Sequence, residues 1–158
     1  MAGVPIFRTG IEPAWIDYNG HLRDAYYGLI VSYAIDALMD RIGLDQAYRD
    51  RTGCTLYTLE MHIHYLQEVK STATVATDVR ILGADRKRIH AAFDLRCDPA
   101  TESAATAEVM LLQVRQGEAV ASAPFAPAIL AAIEELQRAS AELPPAGHGS
   151  RRIQLPQR

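Results

Sequence analysis

The chain has 158 residues, of which 49% are hydrophobic and 22% are charged, and its formal net charge at pH 7 is -3. This balance predicts one soluble globular domain with a core of ordinary size and no room for a second domain. The acidic balance argues against a general nucleic-acid binder, because such proteins present a broad Lys/Arg face. An anionic ligand must therefore meet a local basic cluster.

The N-terminal stretch MAGVPIFRTG lacks the basic start and the apolar segment of a signal peptide. No apolar run reaches the length that spans a bilayer, so we expect a cytoplasmic protein without a membrane partner. Cys54 and Cys97 lie far apart and outside any CxxC spacing. This spacing argues against a disulfide framework or a zinc knuckle.

A short first strand and a long helix are the first predicted elements. The segment Ala25–Ile42 is apolar nearly all round, which is typical of a mostly buried helix. Its polar positions recur every four residues, at Ser32, Asp36 and Asp40. Asp24 is the predicted N-cap and Gly43 the predicted stop. A shorter helix is expected in LDQAYRDR, before Thr52-Gly53.

The pattern then changes to alternation, which indicates strands. LYTLEMHIHYLQEV predicts a long strand, and TATVATDVRIL, RIHAAFDLRC and AATAEVMLLQV predict three more. A last helix is expected at Pro127–Ala139, and the Pro, Gly and basic residues of 141–158 predict a flexible tail after a domain spanning 1–140.

One buried helix inserted after the first strand of an antiparallel sheet of about five strands is an α+β arrangement. The hotdog fold has this plan, although the pattern alone leaves several α+β options open. A single sheet of this kind leaves an exposed edge, which a second subunit commonly covers. We therefore expect a homodimer or a dimer of dimers.

The segment IDYNGHLRDAYY precedes the long helix with two acids and a Gly-His pair. It resembles the Asp-x-x-Gly-His motif of hotdog thioesterases of the 4-hydroxybenzoyl-CoA type, although Arg23-Asp24 stand where that motif usually has Asn. LDQAYRDRTG, LYTLEMHIHYLQEV, LGADRKRIH and SAPFAP resemble the branch of this family that hydrolyses betainyl-CoA in carnitine degradation. The similarity covers roughly Val4–Pro127.

The resemblance implies that Asp17 is the catalytic carboxylate. Thioester cleavage needs a carboxylate nucleophile or a base that activates water. The alternative is that Asp17 only caps a turn or the helix. Gly20 is expected to let a ligand approach the backbone, and the first N–H groups of the helix, near Asp24 and Ala25, to face the oxyanion.

His21 is expected either to orient Asp17 or bind the acyl group, or to serve only as a structural hydrogen-bonding residue. With Asn19 it could hold a water next to Asp17. Aromatic faces bind quaternary ammonium groups, so the aromatic residues around Asp17 are candidates for the acyl site. They are Trp15, Tyr18, Tyr26 and Tyr27, whereas Tyr33 fits helix packing better.

Glu60 and His62 share a strand face and are further candidates for the substrate site, with an exposed strand face as the alternative. Together with His64 they could also ligate a metal, but the resemblance implies neither a metal nor a cofactor. The basic turn Arg86, Lys87 and Arg88 is the candidate site for the phosphates of CoA, with a solvated turn as the alternative.

The sequence therefore predicts a cofactor-free acyl-CoA thioesterase, with CoA as part of the substrate and betainyl-CoA as the expected ester. A thioesterase for a neutral short-chain or aromatic acyl group is one alternative. A non-catalytic acyl-CoA-binding module is the other, and a thiol-release assay separates the two classes.

Overall fold

The structure, a computed structural model of the chain, describes residues 3–143. The elements run in the order β1 (Val4–Gly10), α1 (Asp24–Arg41), α2 (Gln46–Thr52), β2 (Cys54–Tyr65), β3 (Thr74–Ala84), β4 (Arg88–Asp98), β5 (Ser103–Arg115), β6 (Ala121–Ser122) and α3 (Pro127–Ala141). The predicted tail lies largely outside the described residues. No described helix is long and apolar enough to cross a membrane.

The strands form one antiparallel sheet in the order β1-β3-β4-β5-β2, with β6 added to the end of β5. The chain therefore enters at one edge with β1 and places β2 at the opposite edge. β2 carries a bulge between Thr58 and Glu60, which shifts its register against β5. This arrangement confirms the predicted hotdog architecture, in which a sheet wraps a long helix.

α1 packs its buried face against the sheet because its apolar side chains have no other cover. Ile30, Val31, Ala34 and Leu38 are fully buried, and Ser32 and Asp36 face solvent as the spacing predicts. The helix ends where Gly43 adopts a φ of 87°, which favours glycine. Truncating Leu38 to Ala would cost about 2–5 kcal/mol.

The start of α1 differs from the prediction. Arg23 occupies the N-cap position and contributes no side-chain cap, so the assignment of Asp24 as N-cap was wrong. Asp24 is instead the first helical residue, and its Oδ1 accepts a hydrogen bond from the backbone N–H of Ala25 at 2.9 Å. A carboxylate in the first turn still interacts favourably with the helix dipole.

Candidate active site

A tight turn before α1 fixes the position of the Asp17 carboxylate. Its Oδ1 accepts backbone hydrogen bonds from Asn19 at 2.8 Å and from His21 at 3.1 Å. The N–H of Asp17 donates to the His21 carbonyl at 2.9 Å, and Gly20 turns the chain with a φ of 83°. The turn therefore engages one oxygen of the carboxylate, Oδ1, with two backbone N–H groups.

These hydrogen bonds also set the protonation state of Asp17. The backbone hydrogen bond from His21 lowers the pKa of Asp17, and the N–H of Asn19 and the charges of His21 and Arg23 act in the same direction against a smaller opposing effect of burial. Both N–H donors stabilise the ionised form. Asp17 is therefore a carboxylate at neutral pH, the form required of either a nucleophile or a base.

The segment after β2 closes the site from the other side. Leu22 donates its N–H to the Val69 carbonyl at 2.8 Å, and His21 forms a bridge with Lys70. His21 Nε2 lies 3.1 Å from Glu68 Oε2. The imidazole therefore contacts Glu68, while the contact of His21 with the Asp17 carboxylate is made by its backbone N–H.

A cavity of about 530 Å³ lies between the turn and this segment. Of the predicted residues, Asp17, Tyr18, Asn19, His21, Asp24 and Tyr27 line it; Gly20 shapes the same turn. The sequence interpretation missed a second group of lining residues, which are Leu22, Arg23, Tyr65, Leu66, Gln67 and Glu68. In the sequence, the alternation of apolar and polar residues that is typical of a strand stops at Gln67-Glu68. No local pattern predicts that this segment lies beside Asp17.

Two predicted aromatic residues do not line this cavity. Trp15 and Tyr26 stack on each other, with ring centroids 5.6 Å apart and an angle of 18° between the planes. The rings that do meet in the cavity are those of Tyr27 and Tyr65, at 5.1 Å and 88°. Edge-to-face pairs of this kind are a favourable aromatic geometry.

Glu60 and His62 also fall outside the lining of this cavity. His62 Nε2 lies 3.0 Å from Glu60 Oε1, so the two side chains pair with each other on β2. Among residues 3–143, no group of three or more His, Cys, Asp or Glu side chains is arranged to hold a metal ion.

The basic turn between β3 and β4 borders a second cavity of about 290 Å³. The residues that line it are Asp85, Arg86, Lys87, Ser122 and Pro124, and Lys87 Nζ donates to Ser122 Oγ at 3.1 Å. The guanidinium of Arg88 instead binds Asp85 Oδ2, with Nε at 2.9 Å and Nη2 at 2.5 Å. The positive groups that line this cavity are thus Arg86 and Lys87.

The model of the thioesterase-like superfamily matches residues 11–133. The betainyl-CoA thioesterase of Pseudomonas aeruginosa is 47% identical over 151 residues, which cover 95% of this chain and 94% of that protein. The L-carnitine dehydrogenase/betainyl-CoA thioesterase of Agrobacterium fabrum is 37% identical over 92% of this chain and 30% of its own length.

Solved structures agree with these sequence matches. A thioesterase candidate from Pseudomonas putida KT2440 superposes with a TM-score of 0.82 at 41% identity and covers 99% of both chains. The Staphylococcus aureus protein SAV2348, solved in complex with CoA, gives a TM-score of 0.85 at 25% identity, covering 99% of this chain and 98% of that one. The chain belongs to the thioesterase-like superfamily.

Proposed function

We propose that the protein hydrolyses betainyl-CoA to glycine betaine and CoA. The observation that carries this proposal is the Asp17 carboxylate, which the backbone holds ionised at the edge of a cavity large enough for an acyl group. The 47% identity to the Pseudomonas aeruginosa enzyme supports the choice of ester. Asp17 is accordingly the residue on which the chemistry depends.

In the proposed mechanism, Asp17 takes a proton from a water molecule as that water attacks the thioester carbonyl. The oxyanion that forms needs a hydrogen-bond donor. The backbone N–H of Asp24 suits this role because it is the first amide of α1, where helical geometry offers no intrahelical acceptor. The N–H of Ala25 already binds the Asp24 carboxylate, so we assign it no part.

The tetrahedral intermediate then collapses, which breaks the C–S bond and releases the thiolate of CoA. The proton taken by Asp17 returns to the sulfur, so water has supplied a hydroxyl to the acyl group and a proton to the thiol. Asp17 acts in this scheme as a base and forms no covalent bond. The alternative is a mixed anhydride between Asp17 and the acyl group.

A single turnover in ¹⁸O-water with enzyme in excess tests the base route. The base route sends the label directly into the released acid and leaves Asp17 unlabelled. Label on the Asp17 peptide, detected by mass measurement, would contradict the base route, because it requires an anhydride opened at the enzyme carbonyl.

We propose Arg86 and Lys87 as the groups that bind the phosphates of CoA, since phosphate recognition depends on charge-assisted hydrogen bonds. Arg88 instead stabilises the turn through its hydrogen bonds to Asp85. In the sheet, Leu112 of β5 pairs with Arg88 on one side and with Tyr57 on the other. The basic turn therefore lies at the Tyr57 end of β2. The Asp17 cavity lies at the Tyr65 end.

This separation favours a homodimer. Tyr57 and Tyr65 are eight residues apart on β2, which is about 26 Å along a strand. Within residues 3–143, β2 pairs only with β5, and its free edge exposes Leu59 by 55%. Such an edge is a template for pairing with another strand.

Antiparallel pairing of β2 with β2 of a second copy follows a two-fold axis. It would bring the basic turn of one copy toward the Asp17 cavity of the other. The proposed active site therefore draws the acyl pocket from one subunit and the phosphate-binding turn from its partner. Leu59→Lys should weaken this pairing, and analytical ultracentrifugation should then detect monomer.

A thiol-release assay across a panel of CoA esters tests the proposed function. We expect betainyl-CoA to be turned over with the highest kcat/KM. A higher kcat/KM for a neutral short-chain or aromatic ester would assign a different substrate. Binding of the esters without thiol release would assign a non-catalytic acyl-CoA-binding module.

A further inference from the structure

One wall of the Asp17 cavity contains an aromatic surface and a negative charge that no sequence motif reveals. Tyr65 ends β2 and leaves 53% of its surface exposed, whereas Tyr27 behind it is 4% exposed. Glu68 follows on the segment that closes the site. The aromatic surface of this wall thus comes mainly from Tyr65, with Tyr27 packed against it from the core side.

The hydroxyls of both rings approach backbone carbonyls. The hydroxyl of Tyr65 donates to the Asp24 carbonyl at 3.3 Å, and the hydroxyl of Tyr27 donates to the Gln67 carbonyl at 3.4 Å. Each phenol therefore has a backbone acceptor at its polar end.

The charged residues that line the cavity are mainly acidic, since Asp17, Asp24 and Glu68 outnumber Arg23. Burial raises the pKa of Tyr65, and the charge of Asp24 raises it further. Burial is also the largest cause of the raised pKa of Tyr27; a backbone hydrogen bond lowers this pKa, and the charge of Glu68 is the smallest of the raising causes. A cationic group in this cavity would therefore meet a lining in which acidic side chains predominate. Arg23 is the opposing positive charge in the lining, and His21 is paired with Glu68.

We propose that Tyr65 and Glu68 form the cation-selecting wall of the acyl site, with Tyr27 supporting the ring of Tyr65. The inference rests on the proposed function, because it concerns the acyl group of that ester. In a betainyl thioester the quaternary nitrogen is two bonds from the carbonyl carbon, so its binding wall must border the same cavity as Asp17. Tyr65 and Glu68 meet this requirement, whereas Trp15 and Glu60 lie outside the lining.

The test compares two esters that differ only in charge. Betainyl-CoA carries a trimethylammonium group, and its neutral isostere carries a tert-butyl group at the same position. The readout is the ratio of kcat/KM for the two esters, measured for the wild type, Tyr65→Leu, Tyr65→Phe and Glu68→Gln. Loss of structure lowers both rates and leaves the ratio unchanged, whereas loss of cation recognition lowers the ratio.

Tyr65→Leu should lower the ratio about tenfold, since it removes the aromatic face, and Tyr65→Phe should largely retain it. Glu68→Gln should lower the ratio by about threefold, and added salt should reduce this difference because Glu68 is exposed. Tyr33→Leu is the matched control, because Tyr33 is 40% exposed on α1 outside the cavity, and its ratio should equal that of the wild type.

Wild-type ratios in both Tyr65→Leu and Glu68→Gln would overturn the inference while leaving betainyl-CoA hydrolysis intact. Equal turnover of the two esters by the wild type would also overturn it. A failure of the wild type to hydrolyse betainyl-CoA would instead refute the proposed function. Should Tyr65→Leu fail to fold, the isosteric Glu68→Gln decides the question alone.

Discussion

The two ends of the sheet differ in charge and in the way that they are built. At the Tyr65 end, Asp17, Asp24 and Glu68 line the larger cavity together with tyrosine rings. At the Tyr57 end, Arg86 and Lys87 line the smaller cavity on a turn braced by Asp85 and Arg88. An acyl-CoA with a cationic acyl group has the opposite pattern, positive at the acyl end and negative at its phosphates.

The two ends of the sheet have different roles in the proposed mechanism. In this proposed mechanism, the Asp17 end provides the chemistry and the acyl specificity, and the basic end binds CoA. The two ends lie far apart along β2 of one chain, and in the proposed homodimer the active site takes its two parts from two copies. Changes at the acidic end should therefore affect kcat, and changes at the basic end should affect KM.

The largest expected effect is that of Asp17→Asn, which preserves shape but removes the ionisable group. We expect kcat for betainyl-CoA to fall by at least about 100-fold, with the melting temperature close to that of the wild type. Asp36→Asn, on the exposed face of α1, is the control and should keep full activity. A rate near the wild-type value in Asp17→Asn would remove Asp17 from the mechanism.

The next prediction concerns the basic end. The double variant Arg86→Ala with Lys87→Ala should raise KM for acyl-CoA about tenfold or more with a small change in kcat, because charge-assisted hydrogen bonds to phosphate are lost. Arg138→Ala removes an exposed charge from α3 and serves as the control. An unchanged KM would show that CoA binds elsewhere.

A smaller effect is expected from the turn at Gly20. Alanine has open space there, with no atom within 4 Å of an added Cβ, but the φ of 83° is unfavourable for it. Gly20→Ala should therefore lower the free energy of unfolding by about 1 kcal/mol and lower kcat severalfold, because the turn holds Asp17. Gly117→Ala also meets open space, without a positive φ, so it should change neither quantity.

The smallest expected effect is a shift in the pH profile. Because the backbone hydrogen bond from His21 lowers the pKa of Asp17 from 3.8, the carboxylate stays ionised down to a pH below that value. The kcat/KM should thus be lost only as pH falls through the lowered pKa, provided circular dichroism shows that the fold survives. An acid limb above pH 3.8 in folded protein would assign the activity to another group.

Local patterns were enough to predict most of the helices and strands, whereas the choice of the hotdog plan among several α+β options rested on the family resemblance. α1 was expected at Ala25–Ile42 and is observed at Asp24–Arg41, because its apolar spacing and the stop at Gly43 are properties of neighbouring residues. The bulge in β2 was not foreseen, since it depends on pairing with β5. The N-cap of α1 was predicted at Asp24 from local spacing, but Arg23 occupies this position.

The site was only partly predictable for the same reason. The turn that holds Asp17 is local, and its spacing and glycine are visible in the sequence. The contribution of Tyr65 and Glu68 depends on the contact of Leu22 with Val69, which joins distant parts of the chain. We predicted Trp15 and Tyr26 in the acyl site because they are close to Asp17 in the sequence. In the structure their rings stack on each other outside the cavity lining.

In the proposed homodimer, each active site combines the Asp17 end of one copy with the Arg86–Lys87 end of another. The most direct measurement mixes inactive Asp17→Asn with the Arg86→Ala, Lys87→Ala double variant, after subunit exchange, at a betainyl-CoA concentration well below KM. Random exchange makes about half of the dimers mixed, and one of the two sites in each is then intact, so about a quarter of the wild-type activity should appear. Activity equal only to the average of the two separate variants, with exchange verified, would place both ends of the site in a single chain and contradict an active site shared between two copies.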